Sequence, residues 1–204
     1  MKKKESPIIR RRESKDIGIF IDGVALDRAT RRLGKKISWE GLVKSFSRGR
    51  KPLFVRYYTV IPFEDDARQH SFLDSIQRAG VEVIVKRLPP IGIDRQVTSD
   101  VEMTADITAF GLGVSSLPAT SGDLPKNNLL QTEDSETQSD SETKRKRCAI
   151  IITPNREIAY SIQILSSVDV ETIICDFESP QTKELLQAAS NFTDLSTSET
   201  IWRE

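Results

Sequence analysis

The chain has 204 residues, and at about 150 residues per domain that length suits one domain with appendages. Charged residues make up 29% and hydrophobic ones 37%. Thirty Lys and Arg balance thirty Asp and Glu, so no global basic field draws the molecule onto nucleic acid, although a local patch would suffice. Two cysteines exclude a disulfide framework, no apolar run approaches the roughly 20 residues of a membrane span, and no apolar stretch follows the basic N-terminus as in a secretory signal, which leaves a cytoplasmic α/β or α+β domain as the expectation.

Residues 1–15 hold Lys2, Lys3, Lys4, Arg10, Arg11, Arg12 and Lys15 without periodicity. They read as a disordered basic arm, either a solvated tail or a phosphate contact. Ile17 to Ile21 is a continuous β-branched and aromatic run ending at Asp22-Gly23, the pattern of a strand buried on both faces. Trp39, Leu42, Val43 and Phe46 fall at i, i+3, i+4 and i+7 and predict a helix. Leu53 to Val60 is a strand, and Glu64 to Arg78 a helix that Gly80 terminates. Val81 to Val85, Cys148 to Ile152 and Thr172 to Cys175 repeat the buried-strand pattern, and Asp100 to Phe110, Asn155 to Leu165 and Thr182 to Ala189 are the remaining helices. Alternating strands and helices predict a parallel sheet covered on both faces.

From about 113 to 146 the chain is rich in Ser, Thr, Asp and Glu and closes with the basic run Lys144 to Arg147. A compact domain does not hold a structureless loop of that length in its core, so this is a disordered surface insertion and a candidate contact for a protein partner. The expected organisation is an arm over 1–15, one domain over 16–196, and a short tail over 197–204 in which Trp202 is placed to dock on the core.

Ligands of open α/β sheets bind beyond the carboxyl ends of the strands. The polar residues there are Asp22, then Ser99-Asp100 following Lys86-Arg87, then Thr153-Pro154-Asn155-Arg156-Glu157. Carboxylates converging on one edge repel unless a cation holds them, and oxygen ligands suit Mg²⁺ or Mn²⁺. His70 stands alone and both cysteines lie in buried strands, so no zinc set exists. Each residue also has a plainer reading. Asp22-Gly23 makes a strand-ending turn, Ser99-x-x-Glu102 a capping box, Asn155 an N-cap, and Asp100 and Glu157 favour a helix N-terminus. Asp106 lies mid-helix among apolar neighbours and needs a partner or solvent. Six positions separate it from Asp100, which leaves the two about 120° apart on an ideal helix.

These residues resemble the NYN domain, a branch of the PIN-like nuclease fold. Ile19-Phe20-Ile21-Asp22-Gly23 resembles the family's opening strand, and Asp100-Val101-Glu102-Met103-Thr104-Ala105-Asp106 its Asp-Val-x-Leu-x-x-Asp helix. Ile151 to Ile158 stands where the family has a strand followed by Ser-Gly-Asp-Ser-Asp-Phe, and Leu186 to Leu195 resembles its closing Leu-x-x-Ala-Ala-Asp-x-Phe-x-Asp-Leu. The resemblance implies a Rossmann-like three-layer sandwich around a mostly parallel five-stranded sheet. It also implies a metal-dependent ribonuclease using Mg²⁺ or Mn²⁺. Carried over, Asp22, Asp106 and Glu157 are catalytic, and Asp22, Asp100, Asp106, Asn155 and Glu157 hold metal. The chain departs from the pattern at Ala25, Val97, Pro154, Asn155, Glu157 and Ser190. Lys86, Arg87, Arg95 and Arg156, with Arg56, are the cations available to an RNA backbone. A non-catalytic RNA-binding relative is the alternative. A nucleotide-binding Rossmann domain has less support, since neither G-x-G-x-x-G nor a P-loop follows the first strand. Whether the chain forms a homo-oligomer is left open.

Overall fold

A computed structural model describes residues 15–47, 51–64, 66–114, 116–118, 145–178 and 183–203. The expected arm, apart from Lys15, and positions 119–144 of the expected insertion lie outside them. In chain order the elements are β1 (Asp16–Asp22), α1 (Gly23–Leu33), β2 (Lys36–Ile37), α2 (Trp39–Ser47), β3 (Phe54–Ile61), α3 (Ala67–Arg78), β4 (Glu82–Arg87) and α4 (Asp100–Leu112). After the insertion come β5 (Arg147–Ile152), a 3-10 turn (Arg156–Ile158), α5 (Ala159–Ser167), β6 (Glu171–Asp176), α6 (Lys183–Ala188), β7 (Asn191–Asp194) and β8 (Trp202–Arg203).

The main sheet has six strands in the order β4-β3-β1-β5-β6-β7, all parallel. Its middle strands are apolar throughout because helices cover both faces, so alternate residues of one strand enter two different cores. Ile19, Ile21, Tyr57 and Ile150 meet Leu26, Trp39, Leu42, Leu73 and Ile76 of α1, α2 and α3. Phe20, Tyr58, Ala149 and Ile151 meet Met103, Ile107, Phe110, Ile162, Leu165 and Leu185 of α4, α5 and α6. This is the expected three-layer α/β sandwich.

The structure corrects the strand count from five to six. The added strand, β7, is exposed along its whole length and pairs in parallel with β6 through Ile174↔Phe192 and Asp176↔Asp194. It is an edge strand without an apolar run, so the buried-strand pattern does not find it. Helix α1 is a second addition. Only Gly23, Leu26 and Ala29 are buried there, a stripe too narrow to stand out. At the C-terminus, Trp202 docks as its position suggested. It pairs with Ile37 in a two-stranded ribbon, packs edge-on against Phe177 with ring centroids 5.5 Å apart, and donates its indole N–H to the Leu195 carbonyl at 3.1 Å. Among the described residues no helix is long and apolar enough to cross a membrane.

From β1 the chain builds outward to β3 and β4 on one side, then returns to place β5, β6 and β7 on the other. The strand order therefore reverses between β1 and β5, and the crevice beyond their carboxyl ends is where this architecture binds ligands.

Candidate functional site

Asp22 ends β1 at that crevice. It is also the N-cap of α1, with Oδ1 accepting the Ala25 N–H at 3.0 Å. The Thr153 hydroxyl, just beyond β5, donates to its Oδ2 at 2.9 Å and accepts the Asn155 N–H at 3.1 Å. One threonine therefore joins the two strands that flank the crevice. Gly23 follows because the Tyr57 ring lies directly against it, in the space a Cβ would need. Burial raises the Asp22 pKa above its ordinary value of 3.8; the Ala25 and Thr153 hydrogen bonds oppose the rise and the charge of Asp100 adds to it.

Asp100 opens α4. This helix runs back along the sheet, so that Phe110 near its far end reaches Phe54 at the start of β3. The N-terminus of α4 accordingly stands at the carboxyl edge of the strands. The expected capping box is absent: Ser99 makes no side-chain cap, and the Thr98 hydroxyl takes the Asp100 N–H at 3.0 Å and donates to Asp100 Oδ2 at 2.5 Å. Glu102 instead pairs with Lys86 at 2.7 Å, and Lys86 also donates to the Thr98 carbonyl at 3.0 Å. Lys86 thus ties β4 to the turn that presents Asp100.

The other expected site residues are placed differently. Asn155 caps the 3-10 turn, accepting the Glu157 N–H at 3.0 Å. Glu157 is exposed and meets Arg156 at 3.3 Å. Arg87 donates to the Phe63 carbonyl, and Arg95 is exposed on the loop before α4. Asp106 lies six residues into α4, about 9 Å along the helix axis from Asp100. It is buried, and its Oδ2 accepts Arg56 Nη1 and the Tyr58 hydroxyl, each at 2.7 Å. Arg56 is 2% exposed, which removes it from any phosphate path. Thr98, the bond from Thr153 to Asp22 and the pairing of Arg56 with Asp106 are what reading the sequence missed. The pair left a signal, since Arg56 is the one charge in the apolar strand β3 and Asp106 lies among apolar neighbours in the middle of α4, and a buried charge calls for a partner.

Among the described residues, no group of three or more His, Cys, Asp or Glu side chains is arranged to hold a metal ion. Asp22 and Asp100 both stand at the carboxyl end of the sheet, and the charge of Asp100 adds to the rise in the Asp22 pKa. Mg²⁺ often takes only one or two protein carboxylates and completes its shell with water and substrate phosphate.

A model of the NYN domain family matches residues 16–123, which contain Asp22, Asp100 and Asp106. The chain belongs to the NYN family, within the PIN-like nucleases. A crystal structure of a protein of unknown function from Vibrio parahaemolyticus is similar with a TM-score of 0.65 at 11% identity, covering 96% of this chain and 100% of that one, a likeness of fold. No curated protein matches the chain.

Proposed function

We propose that the protein is a ribonuclease that cleaves RNA phosphodiester bonds at the crevice between β1 and β5, with one Mg²⁺ or Mn²⁺ held by Asp22 and Asp100. The observation that carries this reading is the placement of Asp22: a buried carboxylate that ends β1 at the switch point of a parallel sheet, oriented by the Thr153 hydroxyl from beyond β5. Such a group is poised for a cation or a proton. A divalent ion bound there would supply a water acidic enough to attack near neutral pH and would offset charge on the leaving oxygen.

The residues of the chain act around that chemistry. Thr153 fixes the orientation of the Asp22 carboxylate, and Thr98 with Lys86 fixes Asp100. Arg87, Arg95 and Arg156 are the cations available to RNA phosphates, with Asn155 and Glu157 beside Arg156 at the rim. The expected place of action is the cytoplasm.

A second reading is an RNA-binding family member without turnover. It is favoured by the small acid set and by the outward pairing of Glu157 with Arg156. Gel-shift of a labelled single-stranded RNA in EDTA, followed by addition of Mg²⁺ or Mn²⁺, separates the two. The nuclease reading expects the shifted band to give way to product. A stable, salt-sensitive complex that survives metal addition would establish the second reading.

A further inference from the structure

The geometry points to a row of cations along α1 as the path of the RNA strand that leaves the crevice. The inference rests on the RNA reading above and deepens it by placing the strand. Five cations, Arg28, Arg31, Arg32, Lys35 and Lys36, and one acid, Asp27, fall between Gly23 and Lys36, in a chain whose charges sum to zero. Helix α1 starts directly after Asp22, at the crevice. Its far end is also tied to the carboxyl side of the main sheet. Arg32 donates to the carbonyl of Phe177, the first residue beyond β6, and Lys35 donates to the carbonyl of Ser196, two residues beyond β7, at 3.0 Å. The helix therefore crosses the carboxyl side of the sheet from β1 toward β6 and β7. Arg28 and Arg31 stand three positions apart on one exposed face of it. Gly34, at φ +64°, ends the helix, and Lys36 follows in β2, directly opposite Arg203 of β8.

Part of this charge has a plainer role. Arg31 and Arg32 lie in the last turn of α1, where the helix dipole favours a cation. Arg31 also meets Asp27 at 3.0 Å, but the pair is exposed and contributes little. Asp194 feels the charge of Arg32. None of this covers Arg28, Lys36 or Arg203. Lys36 and Arg203 are exposed like charges paired across a ribbon, an arrangement that costs stability, and among the described residues no acid bridges either one. A polyanion laid across the ribbon would remove that cost. RNA is the polyanion that the adjoining crevice calls for. A phosphate chain running from Asp22 along α1 meets Arg28, Arg31, Lys36 and Arg203 in turn, contacts that position a strand without reading its bases.

The test is binding of a fluorescently labelled single-stranded RNA by the full chain in EDTA, read by anisotropy across a salt series. Each phosphate contact contributes about 0.7 to the slope of log affinity against log salt. Arg28→Gln combined with Lys36→Gln is expected to bind several-fold weaker, with a slope shallower by about 1.4. Lys51→Gln combined with Arg78→Gln removes the same charge from exposed positions at the amino ends of β3 and β4 and is expected to bind as the wild type does. Lys36→Gln alone should melt no lower than the wild type, since it removes the like-charge pair. Equal losses in the two double variants would overturn the inference, as would a wild type that binds phosphatidylserine vesicles and no RNA. Metal-dependent cleavage with an affinity that the Arg28 and Lys36 changes leave untouched would overturn the path alone. RNA binding that depends on Arg28 and Lys36, with no cleavage when Mg²⁺ or Mn²⁺ is added, would support the path and overturn the nuclease reading alone.

Discussion

At the scale of single residues, Asp22 carries three tasks that pull in different directions. It caps α1, it accepts the Thr153 hydroxyl, and it holds a charge that burial and Asp100 both disfavour. A carboxyl whose native pKa lies above its unfolded value binds its proton more tightly when folded. Its contribution to stability is therefore full below the ordinary value of 3.8 and is lost as pH rises through the native value. Asparagine caps a helix as well as aspartate does and carries no charge. Asp22→Asn should accordingly melt higher than wild type at pH 7 in EDTA, and the gap should close as the pH falls toward 3.8. Mg²⁺ should stabilise the wild type and not the variant. An Asp22→Asn protein that melts lower than wild type at pH 7 without metal would contradict this account. The position of Asp22 was legible in the sequence because a buried strand ends in a polar residue there. Its cost was not legible, because it depends on Asp100, which arrives from a helix far along the chain.

At the scale of elements, the legible ones were those whose burial leaves a mark on composition. β1, β5 and β6 are apolar runs because helices cover both their faces, and α2 shows its stripe because one face alone is buried. β7 was not legible, since all four of its residues are exposed and its place depends on β6 being there first. The Arg56–Asp106 pair shows the same limit for the site. Fifty positions separate its members, and only the neighbouring of β3 and α4 reveals that the charge in one element answers the charge in the other. Close packing between elements also sets a test at the β1–α1 junction. A Cβ on Gly23 would collide with the Tyr57 ring, which packs edge-on against Trp39 with centroids 5.5 Å apart and cannot easily retreat. Gly23→Ala should cost about 1–3 kcal/mol in denaturant unfolding and lower turnover by displacing Asp22. Unchanged stability and activity would mean that the junction is looser than described.

For the whole molecule, the sheet separates two ends with different roles. Asp22, Thr153 and Asp100 occupy the carboxyl end of the strands. The described residues that flank the 119–144 segment stand at the other end. Pro118 is held by Arg56 beside Glu82, the first residue of β4, and Arg145 meets Asp16, the first residue of β1, at 3.7 Å. Replacing 119–144 by a short Gly-Ser linker should therefore leave RNA cleavage and its metal dependence unchanged. Loss of cleavage in a variant that melts like wild type would contradict that separation.

The central claim is that Asp22 and Asp100 together form the metal-dependent cleaving site. The measurement that tests it most directly is cleavage of labelled single-stranded and structured RNA with Mg²⁺, Mn²⁺ or EDTA, run in parallel on wild type, Asp22→Asn, Asp100→Asn and Asp106→Asn. The account predicts cleavage that requires the metal, disappears in the Asp22 and Asp100 variants and persists in Asp106→Asn. Cleavage that survives EDTA, or that survives in either of the first two variants, would contradict it.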